Sequence, residues 1–100
     1  MNPYIYMFIR SDLSRPQQIV QTAHAVDEIT KRHKSDGTNH MVLCDVKDEE
    51  SLFDISVWLA KNDIDHHTFF EPDIDSYTAI ATQPLRGDAR KPLKHFRLMK

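Results

Sequence analysis

Residues 8–26 read FIRSDLSRPQQIVQTAHAV: the end of an apolar segment, a charged turn and the start of a helix. Tyr4–Arg10 is dense in aromatic and β-branched residues and too short for an uncapped helix, so it is predicted to be a buried strand. Ser14 suits the N-cap of the helix that follows, with Pro16 in its first turn and Gln17 reaching back as in a capping box. Ile19, Ala23, Val26 and Ile29 then recur at spacings of four and three, a stripe expected to pack on a sheet while the opposite side stays polar. Lys31, Arg32, His33 and Lys34 are expected in the last turn, at the negative end of the helix dipole, with Asp36-Gly37 as the stop signal.

Working outward, His40–Val46 is nearly all apolar, as expected of a strand covered on both faces in the interior of a sheet. Asp48 can cap a second helix over Glu49–Lys61, where Leu52, Ile55 or Ser56, and Leu59 form the core stripe, helped by Phe53 and Trp58. Asn62-Asp63 ends it. Ile64–Phe70 and Tyr77–Gln83 read as two further strands, antiparallel across the short link Glu71–Ser76. Residues 84–92 hold a turn or one short helix, and Leu93–Met99 supplies either an edge strand or an extended tail. The order βαβαββ implies right-handed crossovers and a mostly parallel sheet with one antiparallel partner, which makes the fold α/β. One hundred residues without a linker or repeat make residues 1–100 a single domain with a modest core.

No apolar run approaches the roughly 20 residues of a membrane span, and Met1-Asn2-Pro3-Tyr4 lacks the features of a signal peptide, so a cytoplasmic location is expected. The single cysteine, Cys44, lies in an apolar run and is expected to be a buried, inert thiol. The net charge of -2 conceals an asymmetry: ten acids between Asp45 and Asp75 face only Lys47 and Lys61, whereas Arg86, Arg90, Lys91, Lys94, Arg97 and Lys100 oppose only Asp88. Such a basic tail either follows a phosphate backbone or is a solvated surface.

Gln17, Gln21, His24 and Glu28 are spaced to line one helix face. His24 suits a general base or a water-orienting group, and equally a surface histidine hydrogen-bonded to a neighbouring strand; Gln21 can hold a carbonyl or a ribose hydroxyl. Arg10, Ser14 and Arg15 surround a helix N-terminus that favours a phosphate, unless Asp12 simply pairs with one of the arginines in a surface turn. Asp65, His66 and His67 invite a metal, but adjacent strand residues point to opposite faces, so no metal site is expected. With only Gly37 and Gly87 there is no glycine-rich phosphate loop, and no serine sits in a nucleophile elbow.

Arg10-Ser11-Asp12-Leu13, Gln21-Thr22-Ala23-His24-Ala25, Lys61-Asn62-Asp63-Ile64-Asp65-His66 and Phe96-Arg97-Leu98-Met99-Lys100, taken together, resemble the second class of peptidyl-tRNA hydrolases, the archaeal and eukaryotic type. Phe70-Glu71, Thr78-Ala79-Ile80-Ala81 and the Lys94-His95-Phe96-Arg97-Leu98 ending look most like the branch called peptidyl-tRNA hydrolase domain-containing protein 1. The resemblance covers nearly the whole chain. It implies a three-layer sandwich, a mixed four-stranded sheet with helices on both faces, often dimeric, that hydrolyses the ester joining a peptide or amino acid to the tRNA 3′ end without metal or organic cofactor. On that reading His24 and Gln21 orient water and substrate, and Asp12, Glu71 or Asp73 orients those groups, with Thr78 in place of the family's threonine. Arg10, Ser14 and Arg15 would then meet phosphate, and Arg90 and Lys94 would grip the acceptor stem. The chain departs from the family at the glycine-lysine-glycine turn, which here reads Ser14-Arg15-Pro16-Gln17; an arginine can supply charge but not act as a base. The alternative expectation is a catalytically weak or inactive member that binds RNA or a protein.

Overall fold

The computed structural model describes residues 2–100. Strand β1 spans Tyr4–Arg10, helix α1 Arg15–Thr30, β2 His40–Val46, α2 Glu49–Lys61, β3 His66–Glu71 and β4 Ser76–Thr82, with 3-10 turns at Pro72–Ile74 and Gly87–Leu93. Local signals set most of these bounds. Ser14 caps α1 by accepting from the Gln17 amide, and Asp48 caps α2 by accepting from the Ser51 amide. Gln17 departs from the expected capping box, since its side-chain oxygen accepts from Gln21 Nε2 (2.8 Å). Helix α1 also stops earlier than its basic run suggested: Lys31 is already the C-cap, and Arg32, His33 and Lys34 lie beyond the helix.

The sheet has the order β2-β1-β4-β3. Strand β1 pairs parallel with β2 and antiparallel with β4, which pairs antiparallel with β3. Three strands therefore share one direction, as the sequence implied, but β4 inserts between β1 and β3 and leaves a single parallel ladder. The result is an α/β sandwich with a mixed sheet and a helix on each face.

Alternation along the central strands feeds two cores. Tyr6, Phe8 and Ile80 pack with Leu52 and Leu59 of α2, with Leu85 and with Leu93. Ile5, Met7, Ile9, Ala79 and Ala81 pack with Ala25 and Ile29 of α1.

Two expectations are corrected here. Strand β2 is an edge strand, not an interior one. Its start is exposed, Met41 at 49 %, and part of its outer edge is taken by the tail, where Met99 N donates to Leu43 O (2.9 Å) beside a bridge between Cys44 and Leu98. The run is apolar because Val42 and Val46 lean on the α2 core while Leu43 leans on the α1 core. The second correction concerns α1. Its inward face carries Gln18, Gln21, Ala25 and Ile29, whereas Ile19, from the predicted stripe, is 65 % exposed. Burying two glutamines requires partners for their amides, and those partners build the candidate site.

Candidate functional site

The site forms where the C-terminal ends of β1 and β3, the start of β4 and the first turns of α1 converge, and a β-bulge shapes it. On β3, Phe69 faces Ala79 and the next residue, Phe70, faces Tyr77, so Thr78 is the extra residue on β4. Strict alternation would send Thr78 to the α2 side with Ile80. The bulge instead turns it to the α1 side alongside Ala79, where its Oγ1 donates to Gln21 Oε1 at 3.0 Å. Gln21 Nε2 donates both to Gln17 Oε1 (2.8 Å) and to Glu71 Oε1 (2.9 Å). Gln21 and Thr78 are completely buried, while Gln17 and Glu71 are partly open. The network thus runs from a sealed base to a solvent-facing rim.

One helical turn along α1 from Gln21, His24 is exposed and lies flat against Phe69, with ring centroids 4.7 Å apart and planes 6° from parallel. The stack fixes the ring without tying up a nitrogen in the way a strand hydrogen bond would, so the expected alternative of a histidine bonded to its neighbouring strand gives way to a stacked, solvent-facing imidazole.

The β1–α1 turn is organised by Arg10. Its Nε and Nη2 clasp Asp12 (both 2.9 Å), and its Nη1 donates to Ser76 Oγ (3.1 Å) and Tyr77 O (2.9 Å). This is the ion-pair alternative, and it corrects the expectation of Arg10 as a phosphate ligand: a guanidinium with these partners and 13 % exposure is a clamp between the turn and β4. The Asp12 hydrogen bond raises its pKa further, with Glu49 and Asp48 adding in the same sense. Ser14 Oγ is engaged as the N-cap acceptor, and Arg15 is exposed at the start of α1.

Other expected residues lie elsewhere. Asp73 sits exposed in the 3-10 turn after β3, so of the two candidate acids it is Glu71 that joins Gln21. Arg90 lies over the Tyr4 ring at 3.5 Å and donates to Tyr6 Oη (3.0 Å). Together with Lys94 it lines a cleft with Tyr6, Cys44 and Phe96, on the α2 side of the sheet. The basic tail therefore does not converge on the Gln21 network, because residues 86–97 return across the opposite face.

His66 and His67 point to opposite faces of the sheet. His66 Nε2 meets Ser56 Oγ of α2 (2.7 Å), whereas His67 lies toward Phe69 under α1. Among the described residues no group of three or more His, Cys, Asp or Glu side chains is arranged to hold a metal ion, and no helix is long and apolar enough to cross a membrane. Burial pushes the His67 imidazole below its ordinary value. Asp65 instead anchors the segment after α1: it accepts from Arg32 Nε (2.9 Å) and His33 Nε2 (2.5 Å), and these bonds hold its carboxyl well below the usual range.

Sequence reasoning missed Gln18, Phe69 and Ser76. A signal existed for Gln18, which stands three residues before Gln21 and seven before Ala25 on the same helical face. None existed for Ser76 or Phe69, whose roles depend on cross-strand placement.

No protein-family model matches the chain, and no curated protein matches it. Among solved structures, a protein of unknown function from Agrobacterium tumefaciens strain C58 superposes with a TM-score of 0.70 at 17% identity, over 100% of this chain and 99% of that one. At that identity the likeness establishes a shared α/β fold over the full length of both chains.

Proposed function

We propose that the Gln21 network hydrolyses the ester between an acyl or peptidyl group and the tRNA 3′ end. One observation carries the reading: Gln21, Glu71 and Thr78, which stand in for the glutamine, acid and threonine of the class 2 peptidyl-tRNA hydrolases that the sequence resembles, form one hydrogen-bonded unit with His24 a turn away. Water adds to the acyl carbon, and its proton passes to His24 or to Glu71. The same group then returns that proton to the ribose oxygen, which leaves as a hydroxyl. Gln17, whose oxygen is held by Gln21, offers amide N–H groups to the carbonyl oxygen as it gains charge. General-base transfer of this kind supplies about a hundredfold or more of rate. The test is release of the acylated amino acid from N-acetylated aminoacyl-tRNA, run beside His24→Ala and Glu71→Gln. Loss of cleavage in both variants, with folding intact, is the expected result; full activity in both would remove the network from the chemistry.

A second reading, recognition of RNA or a protein on this surface without turnover, is favoured by Arg10. No lysine occupies the turn, and the arginine nearest the network is engaged by Asp12 while Asp48 and Glu49 act on it. Under this reading tRNA binds with steep salt dependence and no ester is cleaved. Charge reversal at Arg90 and Lys94 then tests whether the opposite face is the contact.

A further inference from the structure

Strand β3 pairs with β4 on one side and has no strand on the other. Asp65 O accepts from Gln83 N at the start of this pairing. By antiparallel alternation the backbone groups of His67 and Phe69 therefore turn to β4, and those of His66, Thr68 and Phe70 turn outward. His66 O is already occupied by Arg32 Nη2 (2.7 Å), and past Phe70 the chain soon reaches Pro72, which has no N–H to offer. The open part of the edge is Thr68 and Phe70. From His66 to Phe70 there is no lysine, proline or acid of the kind that ordinarily blunts an exposed edge. Beside it, the flank of α2 that carries Ser56 leans on His66 and Thr68. That flank and the strand expose Phe53, Val57 and Phe70, with Phe53 and Phe70 each 5.1 Å from the Tyr77 ring.

We propose that a second copy of the chain adds to this edge about a two-fold axis, joining the two sheets antiparallel through β3. The two ends of the edge select the register. Thr68 pairs with Phe70 of the partner subunit and Phe70 with the partner's Thr68, so every outward group still open finds a partner. His66, whose carbonyl is taken, then falls opposite the partner's Pro72, which has no donor. A slip of two residues in either direction would set Phe70 against the occupied His66 or Thr68 against Pro72. The same register opposes the His67 imidazole to the carboxylate of the partner's Glu71, and Phe69 to the partner's Phe69. On the other face the two α2 flanks cover Phe53, Val57 and Phe70, adding the apolar area that a short ladder lacks. Because the contact is isologous it closes at two copies. The assignment goes beyond the ester-hydrolysis reading and stands without it, since it is read as mass and not as turnover.

Sedimentation velocity of the intact 11.7 kDa chain tests it. Between about 1 μM and 1 mM the mass should double reversibly, with a midpoint in the micromolar range that suits a small interface. Thr68→Pro removes one outward N–H and spares the β4 ladder. Val57→Lys, on the exposed flank of α2, leaves the strand untouched, and His67→Glu sets like charges across the axis. Each should weaken dimerisation about tenfold or more. The register has its own readout. Opposed residues of a non-hydrogen-bonded pair have Cα atoms about 4.5 Å apart, within disulfide reach, so Phe69→Cys should cross-link the dimer on oxidation and Thr68→Cys should not. A dimer indifferent to all three variants, cross-linking at Thr68→Cys in place of Phe69→Cys, or growth into larger assemblies would overturn the proposal. So would a monomer throughout the range, which would leave the edge to an extended segment of another protein.

Discussion

Thr78 and Gln21 are 57 residues apart in sequence and share a 3.0 Å hydrogen bond at a place where neither side chain reaches solvent. The bulge on β4 that brings Thr78 to the α1 side makes the bond possible, so backbone irregularity and polar burial form one device. Thr78→Val keeps the shape but removes the donor. It should leave Gln21 Oε1 buried and unpaired and cost about 1–3 kcal/mol in urea unfolding. Thr78→Ser retains the hydroxyl and should restore most of the loss, a difference that a cavity alone would not produce.

His24 combines exposure with a stacking contact, so its contributions to stability and to chemistry should separate. His24→Ala removes one ring stack and should shift the unfolding free energy by about 0.5–1.5 kcal/mol. On the ester-hydrolysis reading the same substitution lowers the rate more than about tenfold. His24→Phe, which preserves the stack, should recover stability but not rate. Single-turnover cleavage beside thermal melts of the three proteins measures both quantities.

Elements governed by local chemistry were legible in the sequence. The caps at Ser14 and Asp48 and the aromatic run Tyr4–Arg10 placed β1, α2 and the start of α1 nearly to the residue, because a cap or an alternating pattern carries its own physical cause nearby. What depended on partners distant in sequence was not legible. The α1 stripe was read as Ile19, Ala23, Val26 and Ile29, of which Ile29 is buried as read, but Gln18 and Gln21 could turn inward only because Leu13, Ser11, Glu71 and Thr78 accept or donate to them. Likewise the apolar β2 was read as interior, although covering by the two cores and by the tail is what an edge strand can also receive. In the candidate site His24, Gln21 and the choice of Glu71 or Asp73 were legible as types at helical or loop positions. Arg90 and Lys94 were assigned from charge alone, and charge does not reveal which face a returning segment crosses.

The helix α1 misreading yields its own contrast. Ile19 is 65 % exposed and Ile29 fully buried. Ile19→Gln should change stability by less than about 0.5 kcal/mol, as surface substitutions do. Ile29→Ala should cost about 2–5 kcal/mol through lost burial and a cavity among Ile5, Met7 and Ala25. Chemical denaturation of both variants checks the helix's rotation directly; comparable losses would restore the stripe predicted from spacing.

Asp65 makes stability depend on acid pH in a defined sense. Its carboxyl is held below its unfolded value by hydrogen bonds from Arg32 and then His33, so its contribution is complete above the unfolded carboxylate pKa of about 3.9 and is lost as pH falls below that toward the folded value. The urea midpoints of the parent protein and Asp65→Asn should differ most near pH 5 to 6 and converge between about pH 4 and 2. The pair is solvent-exposed, so the gap should also shrink in high salt. A gap independent of pH would mean that Asp65 acts through packing or geometry rather than charge.

Cys44 reports on the opposite face. It is 1 % exposed beneath the returning tail, and burial pushes its thiol up to about 11, with the neighbouring Asp45 carboxylate adding to the effect. Only the thiolate reacts with alkylating agents, so two barriers act together at neutral pH: little thiolate forms, and the reagent cannot reach it. Iodoacetamide should therefore modify the native protein far more slowly than the unfolded chain, with labelling that tracks local or global opening. Arg97 clasps Asp45 beside this strand through two hydrogen bonds of 3.1 and 3.0 Å. Arg97→Ala should release the tail more readily than it unfolds the sheet and raise the labelling rate of Cys44 with little change in the global melting temperature. Labelling that rises only in step with global unfolding would show that the tail and the sheet open as one unit.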